Sequence, residues 1–144
     1  MAFFRILWHV ALGPEEAWRR LTDWPRHGVH IPLTRVTVEP SGPTGVGTLL
    51  SARTGIGPVG FDDPMEVVRW APPSEGRPGV CRLEKRGSVV TGWAVIVVGG
   101  GAGGSRVLWR EEIRVAGLPR VLDAPVAWGA RLVFGRLVRA LLTR

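Results

Sequence analysis

Strict alternation opens the chain. From Phe3 to Val10, the residues Phe4, Ile6, Trp8 and Val10 fall on one side and Arg5 and His9 on the other, the two-residue period of a half-buried strand. The period then changes. Gly13-Pro14-Glu15-Glu16 opens a short helix, with proline where no amide donor is needed and acids near the positive end of the helix dipole. Ala17, Trp18 and Leu21 are its apolar positions, and Pro25 is expected to stop it. Arg26–His30 is short and mixed in character and reads as a second short helical turn. Alternation returns at Leu33–Glu39, where Thr34, Val36 and Val38 oppose Arg35, Thr37 and Glu39. Strands are then predicted over Thr48–Thr54, Phe61–Trp70 (with a bulge at Pro64), Val80–Arg86, Val89–Val98 and Arg106–Val115, separated by glycine- and proline-rich turns.

The last stretch, Leu118–Arg144, switches to a helical period. Val126, Ala130, Val133, Leu137 and Leu141 share one face, and Ala127, Phe134 and Val138 widen the apolar arc to roughly half the circumference. Arg131, Arg136 and Arg139 fall outside it. Pro119 suits a first turn; Pro125 either kinks the helix or marks its true start, with Asp123 as the cap. Strands run together and the long helix is segregated. The expected class is therefore α+β, an antiparallel sheet curved around a terminal helix, with 20 glycines to supply bends and bulges.

Length and composition narrow this further. The 144 residues suit one domain, 1–144, large enough to bury a core without staples. A single cysteine, Cys81, excludes an internal disulfide and multi-cysteine metal motifs, and points to a reducing, cytoplasmic setting. The net charge of +7 comes from scattered arginines without a basic run or a nucleic-acid motif, so no nucleic-acid partner is expected. Arg5 and His9 interrupt the N-terminal apolar run, which makes a poor signal peptide; Gly87–Ser105 is uncharged but reads as a strand entering a glycine turn, not a membrane span. Gly55-Ile-Gly57-Pro-Val-Gly60 and Gly99-Gly-Gly101-Ala-Gly-Gly104 both match G-x-G-x-x-G. Each leads into another strand rather than a helix N-terminus, so neither offers amides to a pyrophosphate. No cofactor is expected.

Gly13-Pro-Glu-Glu-Ala-Trp18, Gly45-Val-Gly-Thr48, Phe61-Asp-Asp-Pro-Met-Glu-Val-Val-Arg-Trp-Ala-Pro-Pro73, Val90-Thr-Gly-Trp-Ala94 and Val107-Leu-Trp-Arg-Glu-Glu112 together resemble the SRPBCC superfamily, the START- and Bet v 1-like group that includes polyketide cyclase/dehydrase-like and lipid-transfer proteins. The resemblance spans essentially the whole chain. It implies a helix-grip fold: a curved seven-stranded antiparallel sheet, two short helices after the first strand, and a long C-terminal helix. It also implies an apolar cavity between sheet and helix that takes sterols, lipids, polyketides, quinones or plant hormones. The expected lining is Trp8, Leu50, Met65, Val67, Trp109 and Glu111 from the strands. The helix adds Val126, Ala130, Val133, Phe134 and Leu137.

Alternation puts Glu111 on the face of Val107, Trp109, Ile113 and Val115, among apolar neighbours, where a carboxylate needs a partner or a raised pKa. It is read either as a polar anchor or general acid/base in the cavity, or as half of a structural ion pair with an arginine. Neither face of Phe61–Trp70 is clean: the resemblance implies Met65 and Val67 inward, which brings Asp63 and Arg69 with them to meet Glu111, while a bulge at Pro64 sends both charges to solvent. His27 and His30 read as surface histidines, and without ligand spacing no metal is expected. No Ser-His-Asp order is visible and Cys81 has no evident base. Trp128, with Leu132 and Leu142 near it and Arg131 and Arg139 flanking, forms an exposed set suited to a peripheral membrane or a homodimer contact. The leading expectation is a module binding a small hydrophobic ligand. The alternatives are a cyclase/dehydratase-type enzyme using Glu111 with Arg69 or Asp63, and an adaptor with no ligand.

Overall fold

The computed structural model describes residues 2–143; Met1 and Arg144, the last position of the expected helix, lie outside the described residues. Seven strands form one antiparallel sheet: β1 (Ala2–Val10), β2 (Thr34–Glu39), β3 (Leu49–Ile56), β4 (Val59–Ala71), β5 (Gly79–Arg86), β6 (Val90–Gly101) and β7 (Gly104–Val115). β2 to β7 run as a meander, and β1 closes the other edge by pairing with β7 from Ala2↔Ile113 to Val10↔Ser105. Two helices, α1 (Pro14–Leu21) and α2 (Trp24–His30), connect β1 to β2, and α3 (Asp123–Thr143) follows a 3-10 turn at Arg120–Leu122. The class is α+β, as the alternation and the terminal helical period predict, and the architecture is the helix grip that the resemblance implies.

The prolines settle the helix starts. Pro125 lies in the first turn of α3, so Asp123 and not Leu118 opens the helix; Pro119 precedes only the 3-10 turn. Pro25 does not terminate α1, which ends at Leu21. It sits instead in the first turn of α2, where its missing N–H leaves no hydrogen bond unmade. Ala17, Trp18 and Leu21 of α1 are buried, as the apolar spacing predicts.

One irregularity matters for the site. The pairing of β4 with β5 runs in register through Val67↔Leu83, then skips a residue and resumes at Arg69↔Arg82 and Trp70↔Cys81. This bulge lets Val67 and Trp70, three residues apart, both face the core, where Trp70 meets Trp18 at 5.0 Å between ring centroids. It also turns Arg69 outward. Simple two-residue alternation puts Arg69 beside Val67; the inserted residue flips the phase, and Arg69 is exposed opposite Arg82. Pro64, expected to bulge, pairs in register with Ser51.

The core lies between the inner face of the sheet and two helical segments, α1 and the second half of α3. Phe4, Ile6, Val67, Leu83, Ile96, Val107 and Trp109 from the sheet meet Ala17, Trp18 and Leu21 of α1 and Leu137, Val138, Leu141 and Leu142 of α3. Each fully buried leucine is worth about 1.5–3 kcal/mol by transfer from water. Arg20 ties the same region together by donating from Nη1 to the Leu142 carbonyl at 3.2 Å. The first half of α3 is different. Val126, Ala130 and Phe134 are only half-buried, and Val133, expected to face inward, is 38% exposed. The apolar arc of the sequence is wider than the stripe the sheet covers. That stripe runs through Phe134, Leu137, Val138 and Leu141, and Val133 lies beyond its edge.

Candidate ligand cavity

Between the sheet, α2 and Phe134 of α3 lies a cavity of about 70 Å³. Its apolar wall includes Leu50, Met65, Leu83, Trp109 and Phe134, closed by Trp24, His27 and Ile31 from α2 and its C-terminal end. Four rings follow one another: Trp24 to His27 at 5.2 Å, His27 to Trp109 at 5.8 Å and Trp109 to Phe134 at 5.3 Å between centroids. The hollow is smaller than the resemblance implies. At about 30 Å³ per water in the liquid, it has room for two waters or a small fragment.

Its polar end is a cluster of three charged groups from three strands. Lys85 Nζ on β5 donates to Asp63 Oδ2 on β4 at 2.7 Å and lies 3.3 Å from Glu111 Oε2 on β7. Trp109 Nε1 donates to Glu111 Oε1 at 3.1 Å. The sheet register makes this possible. Lys85 pairs with Gly92 on β6, and Glu111 pairs with Ala94. The strand between the lysine and the glutamate thus presents only Gly92 and Ala94 inward, and the Lys85 stem crosses above them. Gly92 has a φ of +130°, and a Cβ there would collide with the Glu112 carbonyl, so glycine is required by the backbone as well as by the space above it. Asp63 sits one inward position beyond Met65, the cross-strand partner of Lys85.

Glu111 and the Lys85 side chain are both almost fully buried. Burial pushes the Glu111 carboxyl above its ordinary value; the Lys85 charge and the Trp109 N–H pull the other way without cancelling it. Burial alone would neutralise Lys85, but the Glu111 and Asp63 carboxylates outweigh it and hold its pKa above the usual lysine range. Lys85 is therefore the firm positive charge, Asp63 its short-range partner, and Glu111 a carboxyl whose protonated form burial favours. Asp63 Oδ1 has no hydrogen-bond partner among the described residues. Lys85 serves Asp63 Oδ2 and Glu111 Oε2, Trp109 serves Glu111 Oε1, and the ammonium otherwise donates to Met65 Sδ at 3.7 Å, so one of the four carboxyl oxygens is left without a donor.

His27 is not a surface residue. It is buried, and its Nε2 donates to the Leu21 carbonyl at 2.8 Å, which fixes the proton on Nε2 because a carbonyl only accepts. Desolvation lowers its pKa to about 4, so the ring is neutral near pH 7. Cys81 is also buried, which pushes its thiol up to about 12, and it takes no part in the cavity.

Of the residues expected from the sequence, Leu50, Met65, Trp109, Glu111 and Phe134 line this cavity, with Asp63 beside them. Val67 and Leu137 are packed in the solid core. Ala130 packs against that core, Trp8 borders a groove on the other side of α3, and Val126, half-buried, does not line the cavity. Val133 and Arg69 are exposed and do not reach it. Lys85 is the residue that sequence reasoning missed, although Cys81, Leu83 and Lys85 stand at i, i+2 and i+4 on the inward face of β5. The arginine expected as a partner for Glu111 is this lysine.

The architecture defines a helix-grip α+β protein with a polar cluster at one end of an aromatic-walled cavity. Comparison with solved structures places that fold. The chain is similar over 97% of its length to the structure of TTHA0849 from Thermus thermophilus, at 14% identity and a TM-score of 0.70, with 97% of that chain covered. It is likewise similar to XoxI from Bacillus cereus, at 14% identity, TM-score 0.67, and 99% and 94% coverage of the two chains. A third similar structure is Ara h 8.0201, at 13% identity, TM-score 0.64, and 99% and 98% coverage. These likenesses show the fold, a helix grip shared with all three structures. No family model matches the sequence, and no curated protein does. Among the described residues no helix is long and apolar enough to cross a membrane.

Proposed function

We propose that this chain binds a small, largely apolar ligand bearing a hydrogen-bond donor, of lipid, quinol or polyketide-like aromatic type, in the cavity beneath α3. The observation that carries this reading is the Asp63–Lys85–Glu111 cluster facing an aromatic wall. A buried ion cluster of this kind is commonly less stable than an apolar replacement of equal volume, so its presence in a core favours a role beyond stability. Binding sites of mostly apolar lining with a few convergent polar groups are the usual small-molecule arrangement. A hydroxyl on the ligand supplies the donor that Asp63 Oδ1 lacks. The volume for the rest of the ligand comes from the first half of α3, which has no fully buried side chain to hold it down.

The test is native mass spectrometry of the purified chain with a screen of hydrophobic extracts. A retained small molecule, weakened by Glu111→Gln and by Asp63→Asn, supports the reading. A panel of hydroxylated aromatics and lipids that neither binds nor raises the melting temperature overturns it.

A second reading is favoured by one feature, the raised Glu111 carboxyl beside a lysine. In a cyclase/dehydratase-type reaction on a poly-β-keto chain, Glu111 moves protons and Lys85 polarises a carbonyl. Glu111→Gln then abolishes turnover with the fold intact; turnover that survives removes Glu111 from that role.

A further inference from the structure

On the side of α3 away from the cavity, a groove of about 430 Å³ runs between the helix and the edge strand β1. Leu7 of β1 and Trp128, Arg131, Leu132, Arg136 and Arg139 of α3 line it. Trp128 is 69% exposed and Leu132 46%, whereas Leu142, expected beside them, is buried with Leu137, Val138 and Leu141. No aspartate or glutamate lines the groove, and among the described residues none of these three arginines is in an ion pair. Several acids are engaged elsewhere, for example Glu16 with Arg19 and Arg20, and Asp62 with Arg53. Just ahead of the helix, Arg120, Val121 and Leu122 continue the same mixture of exposed arginine and aliphatic side chains.

The geometry points to this face as a docking surface for an anionic lipid bilayer. Three unpaired arginines call for a negative partner. The exposed tryptophan and leucines beside them call for one that is also apolar a few ångströms below its charge. A bilayer interface offers both, and long arginine stems keep their heads at the phosphates while apolar neighbours sink in. A second copy of this chain fits poorly, because a two-fold contact through one patch sets arginines against arginines. The helix lies on the surface and does not span it. This surface is separate from the cavity and does not depend on whether the cavity is filled.

The full chain is sedimented with vesicles of phosphatidylcholine alone and of phosphatidylcholine mixed with phosphatidylglycerol, at low and high salt. The expected result is binding to the mixed vesicles only, lost at high salt. Arg131→Gln with Arg139→Gln weakens that binding on the order of 30-fold, at roughly fivefold per arginine near an anionic surface. Trp128→Ala weakens it several-fold, and Arg77→Gln in the β4–β5 loop leaves it unchanged. These side chains are exposed, so the variants keep the parent melting temperature, which is checked in parallel. Equal binding to both vesicle types, or none to either, overturns the proposal. So does a dimer, seen by light scattering, that Trp128→Ala dissociates. Binding to soluble polyglutamate as tight as to vesicles overturns it in favour of an acidic protein partner.

Discussion

Between Leu137 and Leu142 the terminal helix buries four aliphatic side chains against β1 and α1; between Val126 and Phe134 it buries none completely. Both halves carry apolar residues at helical spacing. What differs is the surface beneath. The second half belongs to a solid apolar core that includes Ile6 and Leu21, whereas of the first half Phe134 alone reaches the cavity, stacked on Phe4 and sharing the lining with Lys85 and two carboxyls. One amphipathic helix is thus an anchor at one end and a more loosely packed cover at the other. Stability is concentrated where packing is continuous, and the cavity lies where it is not.

The largest effect that would break this comparison lies under the anchored half. Leu141→Ala removes a side chain with no solvent exposure and is expected to destabilise the protein by about 4 kcal/mol in urea titration. A loss below about 1 kcal/mol would mean the second half is no anchor. Beneath the cover, Lys85→Met leaves Asp63 and Glu111 facing each other without a cation and is expected to destabilise by about 3 kcal/mol. Adding Glu111→Gln to that variant restores part of the loss, and a double-mutant cycle measures the coupling.

Acid provides the next probe. Folded His27 titrates near 4 against an ordinary 6.5, so on acidification the unfolded chain takes up this proton first. Its stabilising contribution is complete above about pH 6.5, falls as the pH drops toward 4, and levels off below, a change of about 3 kcal/mol. His27→Gln should flatten that limb of the stability profile. Glu111 works with the opposite sign. Its folded pKa is raised above 4.5, so its contribution is complete below that value and is lost as the pH rises through the folded pKa. Glu111→Gln removes this second dependence.

The smallest expected effect is on the outer face of the cover. Trp128→Ala should change stability by no more than about 0.5 kcal/mol, although it removes the largest side chain type, because that ring touches mostly solvent. Hydrogen exchange sharpens the same contrast. Amides of residues 127–134 should open at lower free energy than those of 137–142, and a bound ligand should slow the first set.

Much of this is legible in the chain itself, and the exceptions have causes. Alternation locates every strand to within a few residues and puts Glu111 inward, because a sheet with one buried face imposes a two-residue period. The same rule applied to β5 puts Lys85 inward. What alternation cannot supply is the register that brings Lys85, on β5, across Gly92 and Ala94 to Glu111, on β7. It misplaces Arg69 because a bulge shifts the phase without leaving a mark in the polar pattern. His27 reads as a surface residue because nothing in its sequence neighbours shows that the Leu21 carbonyl is waiting for it.

Local chemistry therefore determined the elements, most of their faces and the α+β class: each follows from the periodicity of apolar side chains, and periodicity is a property of the chain alone. Tertiary structure decided the partners of the buried charges, the phase beyond the bulge, the size of the cavity and which half of α3 is held. Those depend on distances between residues far apart in sequence, and on which surface happens to face each side chain once the sheet has curved.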